Sequence, residues 1–416
     1  MIGAIAQRGE RADLSGRVMR LWLIGIVVLL PIELAKLPLN VDLADLWIIL
    51  GLPIVWAFFL AGRRVIALSY AVPLWLIMLS SIVSAFAAPN PTLSVVTIMK
   101  EGFLSLWFLT TASVLAILGE RDLRLVLMVW LIVTLLHGLI IVAQFLSPPV
   151  WRTIASLAGR STAAVHYRPS GLYANANKAA LFQLVGFVPL LLVRPPRRVA
   201  MALGIVLFGT MVATGSMGAL LAFVAGAAVA LLAVSWIANL GHTIRLVVQL
   251  AIVLALIGGL VVVAVSQNEG YQQHLTRILL GRTERSSGSR FSLWDRGLSV
   301  YASHGAYLWG VGPENFRVVD GAGNQLHSDI LAFLVERGLL GVLGLATFAA
   351  LAVSRAILVL RAYIRRPGRG HLGLIVFVAL LAAAGVESLT HQTFRLHDLW
   401  LALALQEATL HKLTEA

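Results

Sequence analysis

Residues 125–146, LVLMVWLIVTLLHGLIIVAQFL, form an apolar run without a charged side chain, and runs of this kind decide the fold of the chain. A transmembrane α-helix needs about 20 consecutive apolar residues, whereas a strand of a membrane barrel needs about 10 alternating ones. The chain has 416 residues, 59% hydrophobic and 12% charged, with a mean hydropathy of +0.89. This composition excludes an ordinary soluble protein and predicts an all-α polytopic membrane protein, with residues 1–416 as a single integral membrane domain.

Outward from this run, the apolar pattern predicts about twelve membrane spans. Arginines precede the first span, and every short connection with an arginine excess falls on the same side of the membrane. The positive-inside rule therefore places both termini in the cytoplasm. The predicted spans are approximately Leu21–Leu34, Leu43–Leu60, Val65–Ala88, Leu93–Leu118, Leu125–Leu146, Ala179–Val193, Val199–Ala213, Met217–Ile237, Leu246–Val265, Leu331–Val353, Leu372–Val386 and Leu396–Leu410.

Two longer connections, residues 147–178 and residues 266–330, fall on the outer side, and both are basic. Long loops cross the membrane largely regardless of their charge, so this arrangement is permitted. Arginine pairs bidentately with phosphate oxygens, and clustered outer arginines therefore favour an anionic ligand such as a pyrophosphate. The alternative is contact with lipid headgroups or with acidic residues of the loops. The basic residues concerned are Arg152, Arg160, Arg168, Lys178, Arg277, Arg282, Arg285, Arg290, Arg296 and Arg317.

The chain contains no cysteine, which excludes disulfides, thiolate metal sites and a cysteine nucleophile. The outer loops contain neither an Asp-x-Asp motif nor a histidine–carboxylate cluster of the metal-ligand type. We therefore expect no metal and no cofactor.

The second outer loop has three recognisable parts. Residues 290–304 have helical spacing, with Arg290, Trp294, Leu298 and Tyr301 on one face, which predicts a helix on the membrane surface. A turn with Gly310, Gly312 and Pro313 follows, and it serves either backbone conformation or close approach to a ligand.

His327 follows that turn, immediately before an apolar run with helical spacing. The unperturbed pKa of histidine suits it to accept a proton from a hydroxyl near neutral pH. The alternative is an interfacial or packing histidine.

These segments together resemble the O-antigen ligase family, within the O-antigen ligase and polymerase superfamily. His327 and Ser328, followed after nine residues by Gly338 and then by Gly341, are similar to the family's signature. The central loop of the family is resembled by Arg290, Trp294, Gly310, Gly312, Pro313, Asn315 and Phe316, and its earlier arginine-glycine-asparagine segment by Arg168, Gly171, Tyr173, Asn175 and Asn177. The resemblance covers roughly residues 160–345. One departure is that Ser216, Met217 and Gly218 stand where family members often have Ser-Arg.

The resemblance implies a membrane glycosyltransferase-like architecture in the bacterial inner membrane, with 147–178 and 266–330 as periplasmic loops. It implies transfer of O-antigen polysaccharide from undecaprenyl pyrophosphate to a sugar hydroxyl of lipid A-core, among membrane lipids, with no nucleic-acid partner and no ATP. His327 is then the base and Arg290 a second catalytic residue. The implied pyrophosphate-binding residues are Arg168, Arg290, Arg160, Arg282, Arg285 and Arg296, and the implied acceptor or cavity residues are Tyr173, Asn177, Trp294, Ser328, Arg395 and Asp398.

Two further groups of polar residues stand out. Lys100 and Glu101 lie inside the predicted fourth span, where ionisable side chains are expensive, and at least one of them needs a partner elsewhere. The last outer turn gathers Glu387, His391, Arg395, His397 and Asp398. An ordinary solvated turn accounts for these residues, with Arg395 and Asp398 as the exceptions that favour a cavity.

Two other functions remain open at this point. An O-antigen or exopolysaccharide polymerase would use the same lipid-linked donor and differ only in its acceptor. A lipid-linked glycan transporter is the third hypothesis, although transporters tend to show related halves with polar sites at mid-span, which this chain lacks.

Overall fold

The structure is a computed structural model, which describes residues 2–33, 41–61, 68–157, 168–237, 283–305, 307–364 and 375–415. Within these ranges the backbone forms helices and turns without a β-strand, so the predicted all-α fold class is confirmed. The helices in chain order are α1 Ile2–Leu29, α2 Leu43–Ala61, α3 Ala71–Ala85, α4 Pro91–Ile117, α5 Glu120–Leu146, α6 Pro148–Leu157, α7 Ala176–Val185, α8 Phe187–Val193, α9 Arg197–Ala213, α10 Met217–Ile237, α11 Thr283–Ser303, α12 Phe316–Val319, α13 Asp329–Ile364, α14 Ile375–Thr390 and α15 His397–Glu415.

Six helical segments of the described chain are long and apolar enough to cross a membrane: Leu43–Ala61, Pro91–Ile117, Glu120–Leu146, Ala176–Val193, Met217–Ser235 and Asp329–Ala362. The shorter apolar helices Ala71–Ala85 and Ile375–Thr390 coincide with two further predicted spans. These helices confirm a multi-pass membrane protein. The predicted ninth span, Leu246–Val265, lies outside the described residues, and both the total of twelve spans and the cytoplasmic termini stay predictions.

Two helices make up the predicted sixth span. Helix α7 begins at Ala176, so Asn177 and Lys178, the last residues of the predicted first outer loop, lie in its first turn. The predicted span Ala179–Val193 lies within the apolar helical segment Ala176–Val193, in which α7 and α8 meet at Gly186. A Cβ on Gly186 would come within 2.6 Å of the Thr134 side chain, so the chain passes too close to α5 for a larger residue.

Contacts between connections define two ends of the helix bundle. At the first, which we call the upper end, Lys178 forms an ion pair of 2.6 Å with Glu33, and the backbone N–H of Asn90 donates to Asn315 at 2.7 Å. At the opposite end, Arg20 pairs with Asp122 at 2.5 Å. Connections predicted to lie outside therefore meet at the upper end.

The long helix α13 is broken at Gly338, which has φ 65° and ψ −160°. A helix break leaves backbone groups unpaired, and in an apolar environment such groups need other partners. The segment 307–312 supplies them: Val311 N–H donates to the Val335 carbonyl at 3.0 Å, and Leu339 N–H donates to the Tyr307 carbonyl at 2.9 Å. The predicted glycine turn thus forms hydrogen bonds with the backbone at the break in α13.

A buried ion pair lies next to this helix break. Glu101 of α4 accepts from the Arg337 guanidinium of α13, and both side chains are almost fully buried. Ser81 bridges them, donating to Glu101 at 2.9 Å and accepting from Arg337 at 2.8 Å. The expectation that one of Lys100 and Glu101 has a partner elsewhere is confirmed for Glu101.

Helix α11 confirms the predicted helix at residues 290–303, but its packed face differs from the predicted one. Leu293 and Gly297 are buried against the 326–335 segment, whereas Leu298 is 46% exposed. Gly297 lies on the packed face because its lack of a side chain lets α11 approach Leu326 closely. An apolar pattern alone does not reveal such a contact.

Candidate functional site

The segment from Arg168 to Asn175 is fixed by side chains of α5. The Gln144 amide oxygen accepts the backbone N–H of Ser170 and of Gly171, each at 2.8 Å, and its nitrogen donates to the Gly171 carbonyl at 2.9 Å. Gly171 has φ 58°, and a Cβ there would overlap the His137 ring. The backbone that carries Arg168 is therefore held in place by buried hydrogen bonds.

Arg168 reaches the first turn of α7. Its guanidinium donates to the Asn177 Oδ1 at 2.8 Å and to the Gly215 carbonyl at 3.4 Å. Since arginine is a donor only, the Asn177 oxygen must face Arg168. The Asn177 Nδ2 then faces His391, whose Nε2 lies 2.5 Å away.

His391 is the point at which three chain segments meet. Its Nδ1 lies 2.7 Å from Glu387 Oε1, and its Nε2 lies 3.3 Å from Arg290 Nη2 in addition to Asn177. The carboxylate can only accept, so Nδ1 carries the proton and Nε2 of the neutral ring accepts from both donors. His391 therefore links the segment of Arg168 to the helix of Arg290.

His327 lies beside this link. The turn after α14 is joined to the start of α13, because Gln392 donates to the Leu326 carbonyl at 2.7 Å and Asp329 accepts the backbone N–H of Thr393 at 2.8 Å. His327 itself is exposed. Partial desolvation lowers its pKa below the ordinary 6.5, and the positive charge of Arg290, together with that of His391 when its ring is protonated, lowers the pKa further. A lowered pKa keeps the ring neutral, and so able to accept a proton.

The turn that departs from the family pattern also borders His391. Gly218 opens α10, and a Cβ at this position would come within 2.7 Å of Glu387 and 3.0 Å of His391. Met217 is 41% exposed. The close packing of Gly218 brings Glu387 and His391 next to the Gly215 carbonyl that Arg168 contacts.

Arg168, Asn177, Arg290 and His327, all predicted site residues, thus gather around His391. The other predicted arginines do not join them in the described structure. Arg296 points to Asp320, with 3.1 Å between Nη1 and the carboxylate. Arg160, Arg282 and the side chain of Arg285 lie outside the described residues.

Trp294 and Ser328, two predicted acceptor or cavity residues, lie in different environments. Trp294 follows Arg290 by one turn of α11, and its indole N–H is buried without a partner among the described residues. Ser328 is buried, and its Oγ accepts the backbone N–H of Leu331 at 3.4 Å. This is the geometry of a helix N-cap, so Ser328 starts α13, and its predicted role in a cavity stays a prediction.

The remaining predicted residues belong to two separate networks. The Tyr173 hydroxyl donates to the Asp398 carboxylate at 3.0 Å, and both side chains are buried. Arg395 pairs with Glu314; burial alone would raise the pKa of Glu314, but Arg395 holds it below its usual value. Both networks fix the upper end of the bundle, and neither includes His391.

His391 and Glu387 are the site residues that sequence reasoning missed. Their i, i+4 spacing, Glu387 to His391, was a visible signal, because it places both side chains on one helix face. The sequence favours a solvated turn for both because the other partners of His391, Asn177 and Arg290, lie more than 90 residues away in the chain. The partnership with Asn177 and Arg290 follows from the fold alone.

Within the described ranges, Asp42, Asp45 and His397 form a group whose candidate ligand atoms lie within 4.8 Å of one another. These groups already bond to one another: Asp45 N–H donates to Asp42 at 2.9 Å, and His397 Nε2 lies 3.2 Å from Asp45. They lie apart from His391, and we assign them no metal.

Comparison with known proteins finds one family. The model of the O-antigen ligase family matches residues 202–346, from α9 into α13, and this range includes Arg290 and His327. The resemblance seen in the sequence is confirmed over this range. The match supports a glycan-transferring membrane enzyme of the O-antigen ligase and polymerase type, with a lipid-linked glycan as substrate. No curated protein sequence matches the chain.

Proposed function

Since the O-antigen ligase family model matches the part of the chain that carries Arg290 and His327, we propose that this protein is an O-antigen ligase. The reaction transfers the glycan of an undecaprenyl-pyrophosphate carrier to a sugar hydroxyl of lipid A-core, at the periplasmic face of the bacterial inner membrane. The observation that carries the proposal is the position of His391, which joins the segment of Arg168 to the helix of Arg290 beside His327.

The two arginines bind the pyrophosphate of the donor. A guanidinium pairs bidentately with phosphate oxygens, and this pairing strengthens as negative charge develops on the leaving group. Asn177 and His391 hold the arginines by hydrogen bonds before the donor arrives, so that little reorganisation is needed during the reaction.

His327 accepts the proton of the acceptor hydroxyl. The hydroxyl oxygen forms a new bond to the anomeric carbon of the glycan, while the bond from that carbon to the pyrophosphate oxygen breaks. The bonding electrons leave with undecaprenyl pyrophosphate, and the proton is left on His327. Because its pKa is lowered, His327 is neutral and ready to accept at neutral pH.

Arg168 also contacts the turn that departs from the family pattern. Family members often have an arginine after the seventh span, where this chain has Met217. The Arg168 guanidinium donates to the carbonyl of Gly215, so a positive charge lies at this turn although Met217 is uncharged.

The test is transfer by purified protein in lipid nanodiscs, with an undecaprenyl-pyrophosphate glycan and lipid A-core as substrates and without added ATP. Arg290→Ala is compared with Arg296→Ala, because both arginines lie on α11 and only Arg290 faces His391. We expect Arg290→Ala to lower transfer by about 10²- to 10³-fold, as loss of an electrostatic transition-state contact does, and Arg296→Ala to leave it nearly unchanged.

The product decides between ligation and polymerisation. Glycan attached to lipid A-core supports the proposal, whereas glycan that lengthens on the carrier while the acceptor stays unmodified shows a polymerase. Equal losses in Arg290→Ala and Arg296→Ala would contradict the site proposed here.

A further inference from the structure

The loop between α11 and α12 exposes three large side chains in succession. Tyr307 is 50% exposed, Leu308 51% and Trp309 43%, and we call these residues, 307–309, the apolar tip. No aspartate, glutamate, lysine or arginine occurs between Arg296 and Glu314, so the tip lies in a neutral part of a loop that is basic as a whole. An exposed apolar patch of this kind marks an interaction surface.

The apolar tip lies against α13, immediately after the break at Gly338. The backbone N–H of Leu339 donates to the Tyr307 carbonyl at 2.9 Å, and that of Leu340 donates to the Leu308 carbonyl at 3.2 Å. Both carbonyls of the tip are therefore paired within the protein. Irregular backbone can border a hydrocarbon environment only when its polar groups are paired in this way.

An exposed apolar stripe runs along α13 from the apolar tip. Its members recur every three or four residues and so share one face of the helix. They are Leu339, Leu343, Ala346, Ala350, Val353 and Ile357. Because this helix is long and apolar enough to cross a membrane, its exposed apolar face is the face that contacts lipid.

A second exposed stripe runs along α3, which packs beside α13 where a Cβ on Gly344 would come within 2.9 Å of Ile77. Its members, again three or four residues apart, are Val72, Trp75, Leu79, Ile82 and Phe86. The stripe ends at Phe86, which is 89% exposed. The turn that follows meets the loop of the apolar tip, since a Cβ on Gly312 would overlap Ala88. Two lipid-facing stripes therefore end at this loop.

We propose that the apolar tip, together with Phe86, inserts into the bilayer at the boundary between lipid headgroups and acyl chains. Tyrosine and tryptophan favour this boundary, because their rings are apolar and their polar groups can reach headgroups or water. The partner is the phospholipid surface, because the tip continues the faces of α13 and α3 that already contact lipid. The sequence predicts helix α11 as the surface element, whereas the exposed side chains favour the loop after it.

Insertion of the tip has a consequence for the segment that carries His327. The tip is bonded to the backbone at the break of α13, so the bilayer holds this break at a fixed height. The first part of α13, which begins two residues after His327, is therefore positioned relative to the membrane surface. This inference concerns lipid contact, and it holds whichever glycan-transfer reaction the protein catalyses.

The first experiment measures the depth of the tip in the bilayer. Because the chain has no cysteine, a single cysteine can be labelled at one position, and Trp309→Cys and Val318→Cys are each labelled with a nitrobenzoxadiazole fluorophore in phosphatidylcholine nanodiscs. Val318 is the matched control, because it is 42% exposed but lies on α12, between Arg317 and Asp320. The discs contain lipids with a nitroxide either on the headgroup or at carbon 5 or carbon 12 of the acyl chain.

We expect the Trp309 label to be quenched most by the headgroup and carbon-5 nitroxides, and the Val318 label to be quenched much less by every lipid. Leu308→Cys repeats the measurement, so the result does not depend on the folding of one variant. Equally weak quenching at Trp309 and Val318 would overturn the proposal, because the tip would then face water. Shielding of the Trp309 label from lipid nitroxides and from aqueous iodide alike would also overturn it, because a second copy of the chain would then cover the tip.

The second experiment makes the tip polar. Tyr307→Asp and Trp309→Asp are introduced together into labelled Leu308→Cys, and the matched control carries Tyr307→Phe and Trp309→Phe. Most of the quenching by the carbon-5 nitroxide should be lost in the aspartate variant and retained in the phenylalanine variant. Equal quenching in the two variants would show that the tip side chains do not hold the loop in the bilayer, and it would overturn the proposal. Neither experiment uses a glycan donor, so transfer activity is tested separately.

Discussion

Gly310 and Gly338 face each other through their backbones: a Cβ on Gly310 would overlap the backbone of Glu336 and Arg337, and one on Gly338 would overlap that of Leu308. Both glycines have positive φ, 70° and 65°. The contact joins the loop after α11 to the break in α13, and His327 lies on the segment between them. Gly338, one of the glycines that mark the resemblance to the family, thus makes a close backbone contact that a larger residue would prevent.

This contact predicts that alanine at Gly338 destabilises the protein strongly. Backbone strain of order 1–3 kcal/mol is expected at such a conformation, and the overlap with Leu308 adds to it. The matched control is Gly321→Ala, because Gly321 has φ 69° but nothing within 4 Å of a Cβ. We expect a larger drop of the thermal unfolding midpoint in detergent for Gly338→Ala than for Gly321→Ala. Equal shifts would mean that strain alone, without the backbone contact, accounts for the glycine.

The buried pair of Glu101 and Arg337 gives a second prediction. Glu101→Gln leaves the Arg337 charge buried, and removal of one partner from a buried pair costs about 3–5 kcal/mol. Arg20→Ala is the comparison, since Arg20 and Asp122 form a half-exposed pair and such pairs contribute about 0–1 kcal/mol. The thermal midpoint should fall clearly only for Glu101→Gln.

The double variant of this pair tests the physical reason. When Glu101→Gln is combined with Arg337→Met, no unpaired charge remains at that position, so the combined loss should be smaller than the sum of the single losses. Additive losses would show that the two side chains contribute independently.

The fold was largely predictable because span length and arginine bias are local properties of the sequence. The apolar runs located the spans that the structure describes, and the helix at residues 290–303 followed from its spacing. The break at Gly338 was not predicted, because α13 is apolar on both sides of it and only the loop at 307–312 makes the break tolerable.

The candidate site was predictable only in part. Arg168, Asn177, Arg290 and His327 were found through motif resemblance, but nothing local to them points to His391. The N-cap position of Ser328 is predictable, because a serine immediately before a helix is a recognisable N-cap. Hydrogen bonds between distant segments are set by packing, which one sequence does not display.

His391 is expected to act as a positioning residue for the two arginines. His391→Ala removes the acceptor shared by Asn177 and Arg290, and we expect transfer to fall by about 10- to 100-fold, as loss of an orienting hydrogen bond does. His391→Gln should restore part of the activity, because its amide oxygen can accept in place of Nε2. The control is His304→Ala, since His304 is exposed at the end of α11.

The kinetic constants distinguish positioning from a purely structural role. We expect the KM for the donor to rise in His391→Ala while the thermal midpoint stays close to that of the native protein. A fall of the midpoint with no recovery in His391→Gln would instead show that His391 only stabilises the turn after α14.

His327 gives a prediction on pH. Its pKa lies below 6.5, so the neutral ring persists as the pH falls, and kcat/KM should decline only below pH 6.5. Desolvation is the main cause, and the positive charge of Arg290, together with that of His391 when its ring is protonated, lowers the pKa further. Removing a positive neighbour favours the protonated ring, so Arg290→Ala should raise the pKa of His327 toward 6.5.

Because Arg290→Ala is expected to be nearly inactive, the shift is measured by NMR titration of the labelled histidine, with Arg296→Ala as the unshifted control. An unchanged pKa in Arg290→Ala would place His327 too far from Arg290 for the two to share one donor.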